Sequence, residues 1–96
     1  MKPEEIKSDK AYSRIFRRDW KYTVEAVGTS INLAMIKFQT DRTRAVGING
    51  VHSSDLLIIV QDRIRCLQAG AFSCDEHERI LQLLSEARQL LKQRPK

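Results

Sequence analysis

The chain has 96 residues, of which 42% are hydrophobic and 30% are charged, and its net charge at pH 7 is +5. This composition is that of an ordinary folded domain and excludes wholesale disorder. No apolar run approaches the roughly 20 residues that span a bilayer, so we expect a cytoplasmic protein without membrane contact. The positive charge favours anionic partners such as phosphates, nucleotides or nucleic acid.

The N-terminal segment predicts a helix over residues 3 to 18. It opens with Pro3, Glu4 and Glu5, and proline is tolerated in a first helical turn, where acids suit the helix dipole. If the surrounding segment is helical, four basic residues share one face: Arg14, Arg17, Arg18 and Lys21. Aromatic residues lie nearby: Tyr12, Trp20 and Tyr22. The pattern indicates either a nucleic-acid-binding face or a solvated face with its aromatics docked on a sheet.

Two runs rich in β-branched and aromatic residues follow, at 22–27 and 31–40, and they predict a pair of strands. The segment Gly28-Thr29-Ser30 between them predicts a hairpin turn. A second turn is expected at 40–43, and a short strand is expected at 44–48.

The second half of the chain predicts two helices. Ser53 is the expected N-cap of a helix over 54–69, and Gly70 is expected to close it in a left-handed conformation. Its apolar positions recur at helical spacing: Leu56, Leu57, Val60, Ile64 and Leu67. A capping box from Ser73 to Glu76 is expected to start the second helix, and Pro95 is expected to end it. The second apolar stripe consists of Ile80, Leu83, Leu84, Ala87, Leu90 and Leu91.

These elements predict an α+β fold, in which a small antiparallel sheet packs with a C-terminal antiparallel helical hairpin. We expect one domain over residues 1–96, with strands in 36–51 and the hairpin in 53–94. Apart from the basic face described above, the pattern assigns no role to the segment 1–35. Because a chain of this length buries only a modest core, self-association is expected.

The sequence contains no recognisable catalytic or metal-binding constellation, so we expect neither an enzyme nor a cofactor. Its two histidines, His52 and His77, accompany no nucleophile motif. Cys66 and Cys74 lack the Cys-x-x-Cys spacing of zinc sites, and we expect them to be buried thiols rather than a disulfide.

His77 and Arg94 each admit a structural and a functional interpretation. His77 follows Phe72 at the spacing of a hydrophobic staple, which predicts packing, yet an imidazole can also stack on a base or donate to a phosphate. Arg94, at the end of the last helix, complements the helix dipole. Its planar fork of donors also suits bidentate recognition of a phosphate.

Several short sequence motifs follow one another between residues 36 and 94. They are Phe-Gln at 38–39, Val-Gly-Ile-Asn-Gly-Val at 46–51, Asp-Arg-Ile at 62–64, Leu-Gln-Ala-Gly-Ala-Phe-Ser-Cys-Asp-Glu-His at 67–77, Glu-Ala at 86–87 and Lys-Gln-Arg at 92–94. In this order they resemble a family of phage anti-defence proteins that act as nucleotide sponges, the Thoeris anti-defence type with a sponge-like helical hairpin.

The resemblance implies a protein that sequesters a cyclic immune signal without cleaving it, in the cytoplasm of an infected bacterium. The signal would be glycocyclic ADP-ribose or a cyclic oligonucleotide, as used in Thoeris and CBASS defence, and the protein would form dimers or hexamers. The family's pocket positions map to Leu67, His77 and Arg94, of which only the arginine is the family's own residue.

Nanomolar binding corresponds to about 12 kcal/mol, whereas one charge-assisted hydrogen bond contributes about 1.5–3 kcal/mol. A single arginine is therefore insufficient. Arg42, Arg44 and Arg63 are further ligand-binding candidates, and we expect them to be pooled with Arg94 across a subunit interface.

Two other functions fit the sequence. One is a small basic nucleic-acid-binding protein that uses Arg14, Arg17, Arg18 and Lys21, whose affinity would fall steeply with salt. The other is a protein that inhibits a host effector by direct contact.

Overall fold

The structure, a computed structural model, describes residues 3–29, 31–40 and 46–94. It divides into two compact units, Met1–Val51 and His52–Lys96. The first contains a four-stranded antiparallel sheet, and the second contains two helices, so the predicted α+β class is confirmed. That the chain forms one domain stays a prediction.

The sheet is a simple meander in which each strand pairs with the next along the chain. Its strands are β1 (Glu4–Ile6), β2 (Ser13–Arg18), β3 (Lys21–Ala26) and β4 (Asn32–Lys37). The helix predicted over residues 3 to 18 is therefore wrong. The two acids that suggested a helix start instead form ion pairs across strands, Glu4 with Arg17 and Glu5 with Arg14.

The turn from β2 to β3 explains why pairing replaces the predicted helix. It contains only Asp19 and Trp20, and Asp19 has a φ of 54°, the positive value that such tight hairpin turns require. This turn brings β2 directly against the β-branched and aromatic residues of β3. Pairing between these strands outweighs the weak helical preference of an isolated segment.

The predicted hairpin between β3 and β4 is confirmed. Gly28 has a φ of 81°, which glycine adopts without steric cost. The Thr29 backbone N–H donates to the Ala26 carbonyl over 3.2 Å, and the Ile31 N–H donates to the Thr29 hydroxyl over 3.1 Å. Ser30, the last residue of the predicted turn, lies outside the described residues.

The register gives the sheet two different faces, because residues paired across strands project from the same side. One face carries half-buried apolar residues: Ile6, Ile15, Tyr22, Val24 and Ile36. The Tyr22 ring meets the Phe38 ring edge-on, with centroids 5.5 Å apart. The opposite face carries most of the sheet's cations, Arg14, Arg18, Lys21 and Lys37, together with Phe16 and Met35.

Side-chain hydrogen bonds hold the chain in place after β4. The Asn49 backbone N–H donates to the Gln39 side-chain oxygen over 3.0 Å, and the Thr40 N–H donates to the Asn49 side-chain oxygen over 2.9 Å. A Cβ on Gly50 would collide with the backbone of Phe38, so only glycine fits there. The motifs Phe-Gln at 38–39 and Asn-Gly at 49–50 thus have a structural role.

The strand predicted at 44–48 is wrong for its described part, since residues 46–48 form no strand. Gly47, with a φ of 74°, bends the chain there. Pairing resumes only at Val51, which forms an isolated parallel bridge with Phe38. Most of the turn predicted at 40–43 lies outside the described residues.

The hairpin consists of α1 (Ser53–Gln68) and α2 (Asp75–Gln93), close to the predicted ranges. Their caps differ from the prediction. His52 is the N-cap of α1, and its backbone N–H donates to the Asp55 carboxylate over 2.9 Å. The predicted left-handed closure at Gly70 is wrong, since Gly70 has no positive φ, and the C-cap is Ala69 in a right-handed conformation. Cys74, one residue after the predicted Ser73, is the N-cap of α2.

The seam between the helices is polar at its centre. Gln61 is fully buried, and its side chain donates to the Ser85 hydroxyl over 2.9 Å and accepts from Arg88 over 2.7 Å. No apolar side chain is fully buried among the described residues. Ile80, Leu83 and Leu90, at helical spacing along one side of α2, are among the exposed apolar residues.

Candidate anion-binding cleft

The open end of the hairpin, where α1 begins and α2 ends, contains a cleft of about 220 Å³. The end of α2 contributes three cationic side chains, Arg88, Lys92 and Arg94. The start of α1 contributes His52, Ser53 and Ser54, and the apolar side chains of Ile58 and Leu91 complete the lining. Arg94, predicted as a ligand contact, therefore lies at a cavity.

The start of α1 adds a fixed positive field to these cations. The first backbone N–H groups of a helix have no acceptor within it, and the helix dipole places partial positive charge there. Hydroxyls at Ser53 and Ser54 supply neutral donors. The acid of this turn, Asp55, already accepts a hydrogen bond from the His52 backbone. The arrangement suits an anion with several oxygens, such as a phosphate group.

Arg88 is held in place from within the hairpin. Its Nη1 donates to the buried Gln61 oxygen, which in turn is fixed by the bond from Gln61 to Ser85. Its Nε is buried and has no hydrogen-bond partner among the described residues. Because that Nε is buried, the donor left for an acceptor in the cleft is Nη2, which forms no hydrogen bond within the described part of the chain.

The other two mapped pocket positions do not join this cleft. Leu67 and His77 lie at the closed end of the hairpin, where α1 meets the loop to α2. At 1.5 Å per helical residue, His77 and Arg94 are about 25 Å apart along α2. One chain therefore does not assemble the pocket that the resemblance implies.

At the closed end, His77 has a structural contact. Its Nδ1 lies 2.9 Å from the Gln68 side-chain oxygen, which also accepts the Cys74 backbone N–H over 3.0 Å. Because that oxygen is an acceptor, Nδ1 carries the proton in this bond. The predicted staple partner, Phe72, is 74% exposed. Gln68 thus takes the role that a capping side chain would have at the start of α2.

The remaining candidates have different positions. Arg63 is exposed in the middle of α1 and does not line the cleft. Arg42 and Arg44 lie outside the described residues. The four basic residues predicted to share one helical face are divided by the sheet: Arg17 projects from the apolar face, and Arg14, Arg18 and Lys21 project from the other.

The ion pairs on β2 shift the pKa of both partners. The hydrogen bond from Arg14 lowers the pKa of Glu5, and the same bond raises the pKa of Arg14. Hydrogen bonds to Glu4 and then to Tyr22 raise the pKa of Arg17. Arg14 and Arg17 are therefore committed to acids within the sheet.

Cys66 and Cys74 are both exposed thiols, so the expectation that they are buried is wrong. The described residues contain no group of three or more potential metal ligands. Neither α1 nor α2 combines the length and hydrophobicity that crossing a bilayer requires.

Sequence reasoning identified Arg94 but missed its neighbours in the cleft. Arg88 and Lys92 stand four residues apart, a spacing that places them on one side of a helix, and this signal was present. His52 had no such signal, because its place depends on how the two helix ends meet. Neither protein-family models nor curated proteins show a match to this chain.

Proposed function

We propose that this protein binds a cyclic nucleotide immune signal reversibly and without cleaving it, and thereby blocks bacterial anti-phage defence. The ligand is glycocyclic ADP-ribose or a cyclic oligonucleotide, and the site of action is the cytoplasm of an infected bacterium. The observation that supports this best is the cleft at the open end of the hairpin, where Arg88, Lys92 and Arg94 converge with the start of α1.

The chemistry of the cleft matches one part of such a ligand. The three cations, each donating one charge-assisted hydrogen bond, and the start of α1 receive phosphate oxygens. Ile58 and Leu91 supply an apolar surface for a sugar or base. His52 lines the cleft with Ser53 and Ser54, but no hydrogen bond joins its imidazole to either hydroxyl, so we expect no activated nucleophile and the ligand leaves unchanged.

Size and energy both indicate that two copies of the chain share a ligand. The cleft, at about 220 Å³, is smaller than the roughly 300–1,000 Å³ of pockets that enclose a small molecule. Three charge-assisted hydrogen bonds contribute about 4.5–9 kcal/mol, short of the about 12 kcal/mol of nanomolar binding. A homo-oligomer, a dimer or a hexamer, supplies the missing contacts.

The hairpin carries features that suit such an assembly. Ile80, Leu83 and Leu90 leave an apolar strip exposed on α2, and burial of that strip would favour association. In a two-fold arrangement the closed end of one hairpin can face the open end of another. Leu67 and His77 of one copy would then complete the cleft around Arg94 of the other.

Titration calorimetry with cyclic dinucleotides, cyclic trinucleotides and glycocyclic ADP-ribose tests this proposal. We expect nanomolar binding of at least one compound and its intact release on denaturation, measured by mass spectrometry. Arg94→Ala should weaken binding at least about tenfold, because it removes a charge-assisted hydrogen bond.

The matched control is Arg79→Ala, which removes the same charge from an exposed position of α2 outside the cleft. It should leave the affinity within about twofold, since exposed surface charges contribute little. Binding no tighter than micromolar for every compound would overturn the proposal. Equal losses for Arg79→Ala and Arg94→Ala would do the same.

A further inference from the structure

Three cations stand side by side across the sheet. Lys21 of β3 is paired with Arg18 of β2 on one side and with Lys37 of β4 on the other. Neighbouring strands lie about 4.8 Å apart, so the row is about 10 Å long. Like charges directly opposite one another destabilise a sheet, which makes this row unfavourable unless an anion neutralises it.

The rest of β2 shows that the sheet can neutralise its cations. Arg14 and Arg17 each form an ion pair with an acid of β1. Among the described residues, Arg18, Lys21 and Lys37 form no salt bridge. The row therefore differs from the other cations of the same sheet in having its positive charge uncompensated.

An aromatic residue lies beside this row, in the turn between Arg18 and Lys21. Trp20, the only tryptophan of the chain, is 61% exposed although a large apolar ring gains from burial. The backbone at Trp20 is held in place, because its carbonyl accepts the Phe38 backbone N–H over 2.8 Å. Trp20 and the row line one cleft of about 290 Å³, together with Asp19 and Thr40.

We propose that this cleft binds single-stranded nucleic acid, with phosphates along the cation row and a base stacked on Trp20. An exposed aromatic ring beside a row of cations is the arrangement by which proteins hold unpaired nucleotides. A duplex keeps its bases stacked and would use only the cations. Asp19 is the single acid in the lining, and three cations outweigh it.

Fluorescence gives a direct test, because all tryptophan emission of this protein comes from Trp20. We expect a single-stranded oligothymidylate to quench that emission saturably. The logarithm of the affinity should fall with the logarithm of salt concentration with a slope of about −2, from three cations at about 0.7 each. Absence of quenching would overturn the proposal, and so would equal quenching by inorganic polyphosphate, which has no bases.

Variants measured with a labelled oligothymidylate separate the two contributions. Trp20→Ala should weaken binding at least about fivefold, and Trp20→Phe should retain part of it, because any aromatic ring can stack. Lys21→Gln combined with Lys37→Gln should flatten the salt slope to about −0.7. The control is Lys7→Gln combined with Lys10→Gln, which removes the same charge outside the cleft and should leave the slope unchanged.

Equal effects of the two double variants would overturn the proposal. This site and the proposed cyclic-nucleotide site fail independently of each other. Arg94→Ala should leave oligothymidylate binding within about twofold, since Arg94 lies in the other compact unit, outside this cleft. An Arg94→Ala loss as large as that of Trp20→Ala would show that the oligonucleotide binds at the hairpin instead.

Discussion

The two ends of the hairpin treat their polar groups in opposite ways. At the closed end, Gln68 accepts hydrogen bonds from Cys74 and His77 and donates to Glu78, so these groups are satisfied within the chain. At the open end, Arg88 keeps an unpartnered buried Nε among the described residues, and Lys92 and Arg94 line a cleft. Polar groups satisfied internally stabilise a fold, whereas cations that line a cleft keep donors available to a ligand.

The sheet repeats this distinction on a smaller scale. Arg14 and Arg17 are paired with acids, and the neighbouring row of Arg18, Lys21 and Lys37 is not. The sequence alone does not distinguish the paired cations from the unpaired ones. Only the structure shows which of them are already neutralised, and the cations that are not neutralised lie at or beside the turn between β2 and β3.

Substitution of Gln61 should have the largest effect on the open end of the hairpin, because Gln61 links the polar seam to the cleft. Gln61→Ala should lower the free energy of unfolding by about 3 kcal/mol, since it opens a cavity and leaves Ser85 and Arg88 without partners. It should also weaken cyclic-nucleotide binding by releasing Arg88. Urea unfolding and calorimetry measure the two effects.

The control is Gln89→Ala, an exposed change on α2, which should alter stability by less than about 0.5 kcal/mol. A loss of stability equal to that of Gln61→Ala would refute the role given to Gln61.

A smaller but more selective test compares one variant at each end of the hairpin. Gln68→Ala should cost about 1–2 kcal/mol of unfolding free energy, because it removes the cap of α2 and the partner of His77. In the monomer it should not affect the cleft. Arg94→Ala should show the reverse, a stability change within about 0.5 kcal/mol and at least about tenfold weaker ligand binding. Urea unfolding of both variants measures the contrast, and similar stability losses would remove it.

The helices and the β3–β4 hairpin were predictable because their signals are local. Apolar residues at helical spacing and a glycine between two β-branched runs need no information from elsewhere in the chain. The segment 3–18 was not predictable in this way. Its acids at Glu4 and Glu5 fit a helix start equally well, and only pairing with Arg17 and Arg14 decides for strands.

The cleft was predictable only in part for the same reason. Arg94 was identified from the resemblance, and Arg88 and Lys92 share a helix face with regular spacing. Their meeting with His52 depends on how two helix ends far apart in the chain come together. The cap at Gln68 also escaped prediction, because the conventional capping residue Ser73 lies within the same loop.

The smallest expected effect tests the contrast between paired and unpaired cations in the sheet. The bond from Arg14 lowers the pKa of Glu5, so it stabilises the fold above the pKa that Glu5 has when unfolded, and this stabilisation is lost as pH falls through the folded pKa. Arg14→Gln should therefore raise the pKa of Glu5 toward its ordinary value. Arg18→Gln removes the same charge from the unpaired row and should leave that pKa unchanged. Carboxyl titration by NMR measures both, and an equal rise in the two variants would mean that the overall charge of the sheet, rather than the ion pair, sets the pKa of Glu5.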